Sequence, residues 1–172
     1  MKCLMPLNQR KVIAEAIDGK RYCEWGCGGT TLWLAEHARP DVAYSVEHVK
    51  AWADDVHSGV GVFDAEWTIV FQPCQPGQNA TIGEESAVGE RAYIGAGMRV
   101  NADVYLIDGV VRAKCLRRLL KWDQPLTIFI HDTQRDWYDD AIAKAIAAGF
   151  ERTDYPEGDD YPGCLLTKLE KK

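Results

Sequence analysis

Apolar positions along this chain recur with two periods, and the two alternate. "NQRKVIAEAIDG" places Val12, Ile13, Ala16 and Ile17 on one face at a helical spacing, with Asn8 to cap its start and Gly19 to end it. "RYCEW" follows as a short strand. After the glycine-rich turn, "TTLWLAEHA" reads as a helix that Thr30 or Thr31 caps. "VAYSVEH" (42–48) is a second strand, "KAWADDVHSG" a helix closed by Gly59, and "EWTIVFQP" a third strand stopped by Pro73.

Residues 75–101 break this rhythm. They hold five glycines and little periodicity. The segment is too long for an ordinary connection, which predicts a functional loop or lid with a short helix around 84–94. Beyond it, "ADVYLID" (102–108) is a fourth strand. "VRAKCLRRLLKW" is a helix with Cys115, Leu116, Leu119 and Leu120 on one side; its five basic residues read as a solvated face. "LTIFIHD" (126–132) is almost wholly apolar, as in strands covered on both faces. A helix over "DWYDDAIAKAIAAG" ends at Gly149, and two strands, about 150–155 and 164–169, close the chain.

Strands alternating with helices predict an α/β fold with a mainly parallel, seven-stranded sheet covered by helices on both faces. The last two strands have no helix between them and are expected to form an antiparallel hairpin at one edge. The 172 residues suggest one domain, long enough to bury a core without metal or disulfide staples.

Charge and cysteine usage narrow the picture. The net charge of −6 gives no general field for nucleic acid or anionic lipid. No apolar run approaches the roughly 18 residues of a membrane span, and the charged N-terminus does not resemble a signal peptide, so a cytoplasmic location is expected. The six cysteines include no C-x-x-C pair and no zinc-site spacing, and read as free thiols of a reducing compartment.

Candidate chemistry lies at the strand exits, where open α/β sheets bind ligands. Strand one runs into Glu24-Trp25-Gly26-Cys27-Gly28-Gly29, strand two into Glu47-His48, strand four into Asp108-Gly109 and strand five into His131-Asp132. A carboxylate at one exit can serve merely as a helix cap; four would line one rim. Gly26 and Gly28 allow a sharp turn and bring backbone N–H groups against a ligand. Glu47 lies 21 residues after Gly26, a spacing suited to a carboxylate that accepts ribose hydroxyls. A dinucleotide site calls for G-x-G-x-x-G, but the third position is Thr31. Glu24 would repel a pyrophosphate and suit an ammonium group instead.

This combination resembles the class I S-adenosylmethionine-dependent methyltransferases, whose first motif, acidic-x-G-x-G, is matched by Glu24-Trp25-Gly26-Cys27-Gly28. Their acidic residue at the end of strand two is matched by Glu47. The wording "EWGCGGTTLWLA…YSVEHVKAW" is similar to a subgroup that includes plant polysaccharide O-methyltransferases. "YLIDG…R" and "FIHD" look like motifs of small O-methyltransferases.

The resemblance implies a Rossmann-like methyltransferase domain over residues 1–172, binding S-adenosylmethionine and transferring its methyl group to a small-molecule or carbohydrate acceptor, at oxygen. Glu24 and the backbone of Gly26, Cys27, Gly28, Gly29 and Thr30 would hold the methionine part. Glu47 would hold the ribose, His48 or Trp52 would flank the adenine, and Asp108 would sit beside the methyl group. Asp108, Arg112, His131 and Asp132 are the candidate catalytic residues, with His131 or Asp108 as base. Some relatives bind a divalent metal through strand-four and strand-five acids. Asp108 and Asp132 match those positions, but the usual third ligand is Thr133, so a metal is not favoured. The acidic residue often found after strand three is absent from "VFQPC". Two other readings remain open: a non-catalytic cofactor-binding protein of this fold, and an NAD-dependent oxidoreductase, against which Thr31 and Glu24 argue. Nothing indicates membrane binding, and the oligomeric state is open.

Overall fold

A computed structural model describes residues 3–63, 66–75, 88–157 and 163–172. The chain begins with α1 (Leu7–Ile17), β1 (Arg21–Trp25), α2 (Gly29–His37), β2 (Val42–Glu47), α3 (Lys50–Val60) and β3 (Trp67–Phe71). It continues with α4 (Glu90–Gly97), β4 (Val104–Ile107), α5 (Arg112–Leu119), β5 (Leu126–His131), α6 (Asp139–Ala147), β6 (Glu151–Tyr155) and β7 (Leu166–Lys171). The helix expected around 84–94 is α4; the rest of the 75–101 loop lies mostly outside the described residues.

One seven-stranded sheet runs in the order β3-β2-β1-β4-β5-β7-β6. β1 to β5 are parallel, and β7 is antiparallel to both β5 and β6. The terminal hairpin thus enters with its second strand inside. β7 buries Leu166 and Leu169, whereas β6 is charged and exposed and blunts the edge.

The period-2 alternation of the strands feeds two separate cores. Cys23, Trp25, Tyr105, Ile107, Ile128 and Ile130 face α4, α5 and α6. Tyr22, Ala43, Leu106 and Phe129 face α1, α2 and α3. On the first face Trp25 stacks on Tyr105 at 5.4 Å between ring centroids, a contact worth about 1 kcal/mol beyond its burial. Trp25 therefore belongs to the core. No helix among the described residues is long and apolar enough to cross a membrane.

Two expected caps are placed otherwise. Pro6 precedes α1, and the Asn8 amide instead donates to the Pro156 carbonyl at 3.2 Å. α2 starts at Gly29 behind Gly28, and neither threonine precedes it. Thr31 works from inside the first turn: its hydroxyl accepts the Gly28 N–H at 2.9 Å, the returning half of a capping box. Both helices start one residue before the proposed capping side chain, because a proline and a glycine supply the turn conformation.

Candidate cofactor and catalytic site

β1 and β4 are sequence-distant neighbours, so the order of the sheet reverses between them and their carboxyl ends open a crevice. Gly26 sits there with φ +92°, and an added Cβ would lie 2.5 Å from the Gly109 Cα. The exits of β1 and β4 are pressed together, joined by the Asp108 N–H donating to the Trp25 carbonyl at 2.9 Å. Packing alone therefore requires glycine at position 26.

Glu24 lies beneath this turn with no solvent exposure. Its Oε1 accepts the hydroxyls of Thr31 at 2.7 Å and Ser45 at 2.5 Å, and its Oε2 accepts that of Tyr22 at 2.9 Å. Ser45 in turn accepts the Trp67 indole N–H. Burial pushes the Glu24 carboxyl up to about 7, against the three hydroxyl donors that favour its ionised form. The side chain expected to meet the methionine part instead ties β1, β2 and the start of α2 together. The cause is strand alternation: Glu24 shares the face of Tyr22, packed under α2, and does not face the rim.

Glu47 makes the corresponding tie from β2. Its Oε2 accepts the Cys27 N–H at 2.9 Å, and its Oε1 accepts the N–H groups of His48 at 2.9 Å and Val49 at 2.8 Å. A carboxylate offers about four acceptor positions, so one remains on Oε2 for a further donor. Cys27 is buried, which raises its thiol pKa. Gly28 and Gly29 lead into α2, whose first N–H groups have no carbonyl partner within the helix. The Thr30 hydroxyl lies 3.4 Å from Cys3 Sγ. His48 meets the edge of Tyr93 at 6.1 Å, and Trp52, in the first turn of α3, is half exposed.

At the exits of β4 and β5 the structure brings the four proposed catalytic residues together. His131 Nδ1 lies 2.9 Å from Asp108 Oδ1. His131 is buried, and its Nε2 has no hydrogen-bond partner among the described residues. Arg112 opens α5 and binds the group together. Its Nε donates to the Gly109 carbonyl at 2.8 Å and its Nη1 to the His131 carbonyl at 2.7 Å. It also sits 3.2 Å from Asp132 Oδ2 and 3.3 Å from Asp108 Oδ1.

Electrostatics follow from this packing. Burial opposes ionisation of Asp108, but His131 and Arg112 outweigh it and lower the carboxyl pKa. Burial likewise disfavours the imidazolium, and Asp108 outweighs it to raise His131. Two non-glycine residues flank the cluster in the left-handed region: Val111 at φ +50° and Asp132 at φ +65°. A β-branched residue is costly there, and such strain concentrates at functional sites.

The residues do not fit a metal. Arg112 and His131 engage Asp108, Arg112 and Arg135 engage Asp132, and Thr133 turns to Thr167 and the Leu165 carbonyl. Among the described residues no three His, Cys, Asp or Glu side chains group to hold an ion.

One residue of the site escaped the sequence pattern. Tyr93 of α4 is fully buried; its carbonyl accepts the Trp25 indole N–H at 3.1 Å, and its hydroxyl fills the space beside Gly109. It lies in the glycine-rich segment that showed no period, so only the contact between α4 and β1 identifies it.

No protein-family model and no curated protein matches the sequence. Solved structures do match. A methyltransferase-like protein from Silicibacter pomeroyi is similar over 99% of this chain and 89% of its own, at 19% identity and a TM-score of 0.68. A putative tRNA (m1A22) methyltransferase from Streptococcus pneumoniae matches 96% of this chain and 70% of its own, at 12% identity and a TM-score of 0.62. M. jannaschii TYW2, in complex with AdoMet, matches 99% of this chain and 77% of its own, at 12% identity and a TM-score of 0.61.

These likenesses correct the expected partners. A small-molecule or carbohydrate acceptor without nucleic-acid binding does not agree with similar proteins that include a putative tRNA methyltransferase. Net charge does not decide the question, because it averages over the whole surface and says nothing of one face. The chain has the Rossmann-like fold of class I S-adenosylmethionine-dependent methyltransferases.

Proposed function

We propose that this protein binds S-adenosylmethionine and transfers its methyl group to a nitrogen or oxygen atom of a nucleic acid. The observation that carries the reading is the meeting, at one crevice of this fold, of two constellations. The first is the glycine turn held by Glu47. The second is a buried imidazole with a carboxylate on one nitrogen and, among the described residues, no partner on the other.

The fourth acceptor position of Glu47 suits a ribose hydroxyl, and His48 and Trp52, which follow Glu47 in the chain, would flank the adenine. The first N–H groups of α2 suit the carboxylate of the methionine part. Glu24 acts from below as a positioning residue that holds Thr31 and Ser45. S-adenosylmethionine, when bound, supplies a sulfonium methyl group open to direct displacement, with S-adenosylhomocysteine as leaving group. His131 Nε2 accepts the proton of the attacking N–H or O–H group. Asp108 holds the ring in the tautomer that leaves Nε2 free and stabilises the imidazolium that forms. Arg112 fixes both carboxylates, and the buried setting limits competing water.

The test has two stages. Calorimetry with S-adenosylhomocysteine, using Glu47→Ala as control and NAD as competitor, is expected to give micromolar binding that the variant loses. Labelled methyl groups are then expected in total RNA incubated with the protein and absent with His131→Asn. Binding of NAD in place of S-adenosylhomocysteine, or of neither by folded protein, would sink the proposal.

A further inference from the structure

Four of the five basic residues of "VRAKCLRRLLKW" are more than a solvated face. α4 and α5 run side by side from the carboxyl edge of the sheet and leave a groove of about 450 Å³ between them. Lys114, Arg117, Arg118 and Lys121 line one wall and Arg91 the other, against one carboxylate among the described residues, Glu90. Lys114 lies 2.6 Å from Glu90, and Arg117 lies 2.9 Å from Asp140 of α6. Arg91, Arg118 and Lys121 are exposed and have no ion-pair partner among the described residues.

The basic wall has the spacing i, i+3, i+4, i+7: Lys114, Arg117 and Arg118 lie on α5 and Lys121 in the turn just past its end, a row of like charges about 10 Å long. Like charges at this spacing repel, and an acidic protein has carboxylates to intersperse. None is interspersed on α5 itself, and Glu90 of α4 and Asp140 of α6 pair with two of the four cations. The groove begins at Lys114, in the first turn of α5, the helix that follows the β4 exit carrying Asp108.

We infer that the α4–α5 groove binds the phosphate backbone of a single-stranded RNA segment whose target base reaches the crevice. This rests on the methyltransferase reading and names how its acceptor is held. Arginine forks match phosphate oxygens. A row of cations along and just past one helix tracks successive phosphates without reading bases, and among the described residues no aromatic ring lines the groove to stack one. An anionic membrane is a poorer occupant. None of the exposed large apolar side chains belongs to α4 or α5, and interfacial helices need an apolar face to insert.

The experiment is fluorescence anisotropy of a labelled single-stranded oligoribonucleotide of mixed sequence, over a salt series, with the whole chain and with Arg118→Ala/Lys121→Ala. Both positions are exposed, so the variant is expected to fold. Each lost phosphate contact on a single strand lowers the log–log salt slope by about 0.7, so the double variant is expected to lose about 1.4 of slope and roughly tenfold or more in affinity at low salt. S-adenosylhomocysteine binding by calorimetry is expected to stay at the wild-type value. If that binding is absent in both proteins while the RNA slope still falls, the groove stands and the methyltransferase reading falls. An unchanged slope in the variant overturns the groove. So does wild-type protein that binds S-adenosylhomocysteine or anionic phospholipid vesicles but no RNA.

Discussion

Asp108 Oδ1 and His131 Nδ1 lie 2.9 Å apart across the exits of two adjacent parallel strands, leaving His131 Nε2 as the end of the dyad without a partner among the described residues. The carboxylate raises the pKa of the imidazole above its ordinary 6.5 against the effect of burial. A base must be neutral, so methyl transfer is expected to rise with pH through this raised value. Asp108→Asn removes the charge and moves the acid limb to lower pH. His131→Asn is expected to cost about 10²–10⁴ in kcat, with S-adenosylhomocysteine affinity retained. A pH–rate profile that does not move in Asp108→Asn would show that the pair is structural.

The same pair sets a stability window. His131 has a raised folded pKa, so its contribution is complete below the unfolded value of 6.5 and is lost as pH rises through the folded one. Asp108 has a lowered folded pKa, so its contribution is present above 3.8 and is lost as pH falls through its folded value. Urea unfolding across pH is expected to show greatest benefit of the pair between these limits. The difference between wild type and Asp108→Asn should narrow on both sides.

Glu47 joins the cofactor reading to the turn itself. Glu47→Gln keeps one oxygen but replaces the other with an amide donor, which faces the N–H groups that now converge on the carboxylate. A buried donor left without an acceptor costs about 1–3 kcal/mol. The variant is expected to unfold at lower urea and to bind S-adenosylhomocysteine at least tenfold more weakly. Loss of stability with full affinity would remove Glu47 from the ligand site.

The strand and helix order was legible because period and punctuation are local properties of the chain. "LTIFIHD" could hardly be anything but a covered strand, and the hairpin followed from a missing crossover helix. The four strand exits were legible for the same reason. What was not legible depended on contacts between distant segments. Gly26 is required by Gly109, Gly97 by the Trp25 ring, and Tyr93 by both Trp25 and Gly109. Glu24 matched a motif, yet which side of β1 it occupies, and that Ser45 and Tyr22 meet it there, emerges only from the register of β1 on β2. The basic face of α5 read as solvated because nothing in its own sequence shows that α4 lies alongside.

Glu24 gives a third pH signature, opposite in sign to that of an ordinary carboxylate. Its folded pKa, about 7, exceeds the unfolded 4.5, so the folded state holds the extra proton between those values. Stability is therefore expected to fall as pH rises through this window, by about 3 kcal/mol in all. Glu24→Gln cannot ionise, and its hydroxyl neighbours can rotate to meet an amide. The variant should lack this slope, which denaturant unfolding on either side of the window would measure. Equal slopes in the two proteins would mean that the ionised form is as well accommodated as the neutral one.

Gly26 and Gly149 separate backbone strain from close packing. Both hold a positive φ, +92° and +90°. A Cβ on Gly149 meets nothing within 4 Å, so Gly149→Ala pays conformational strain alone, about 1 kcal/mol. A Cβ on Gly26 meets the backbone of Gly109 and Asp108, which has no side chain to swing away. Gly26→Ala must therefore push the β1 and β4 exits apart, breaking the bond from the Asp108 N–H to the Trp25 carbonyl. Its expected cost is about 2–4 kcal/mol. It should also displace Asp108 from His131 and weaken S-adenosylhomocysteine binding, whereas Gly149→Ala should leave binding untouched. Urea unfolding and calorimetry on the two variants decide the matter. Equal costs would show that the crevice between β1 and β4 yields easily, and that its tight closure is no part of the site.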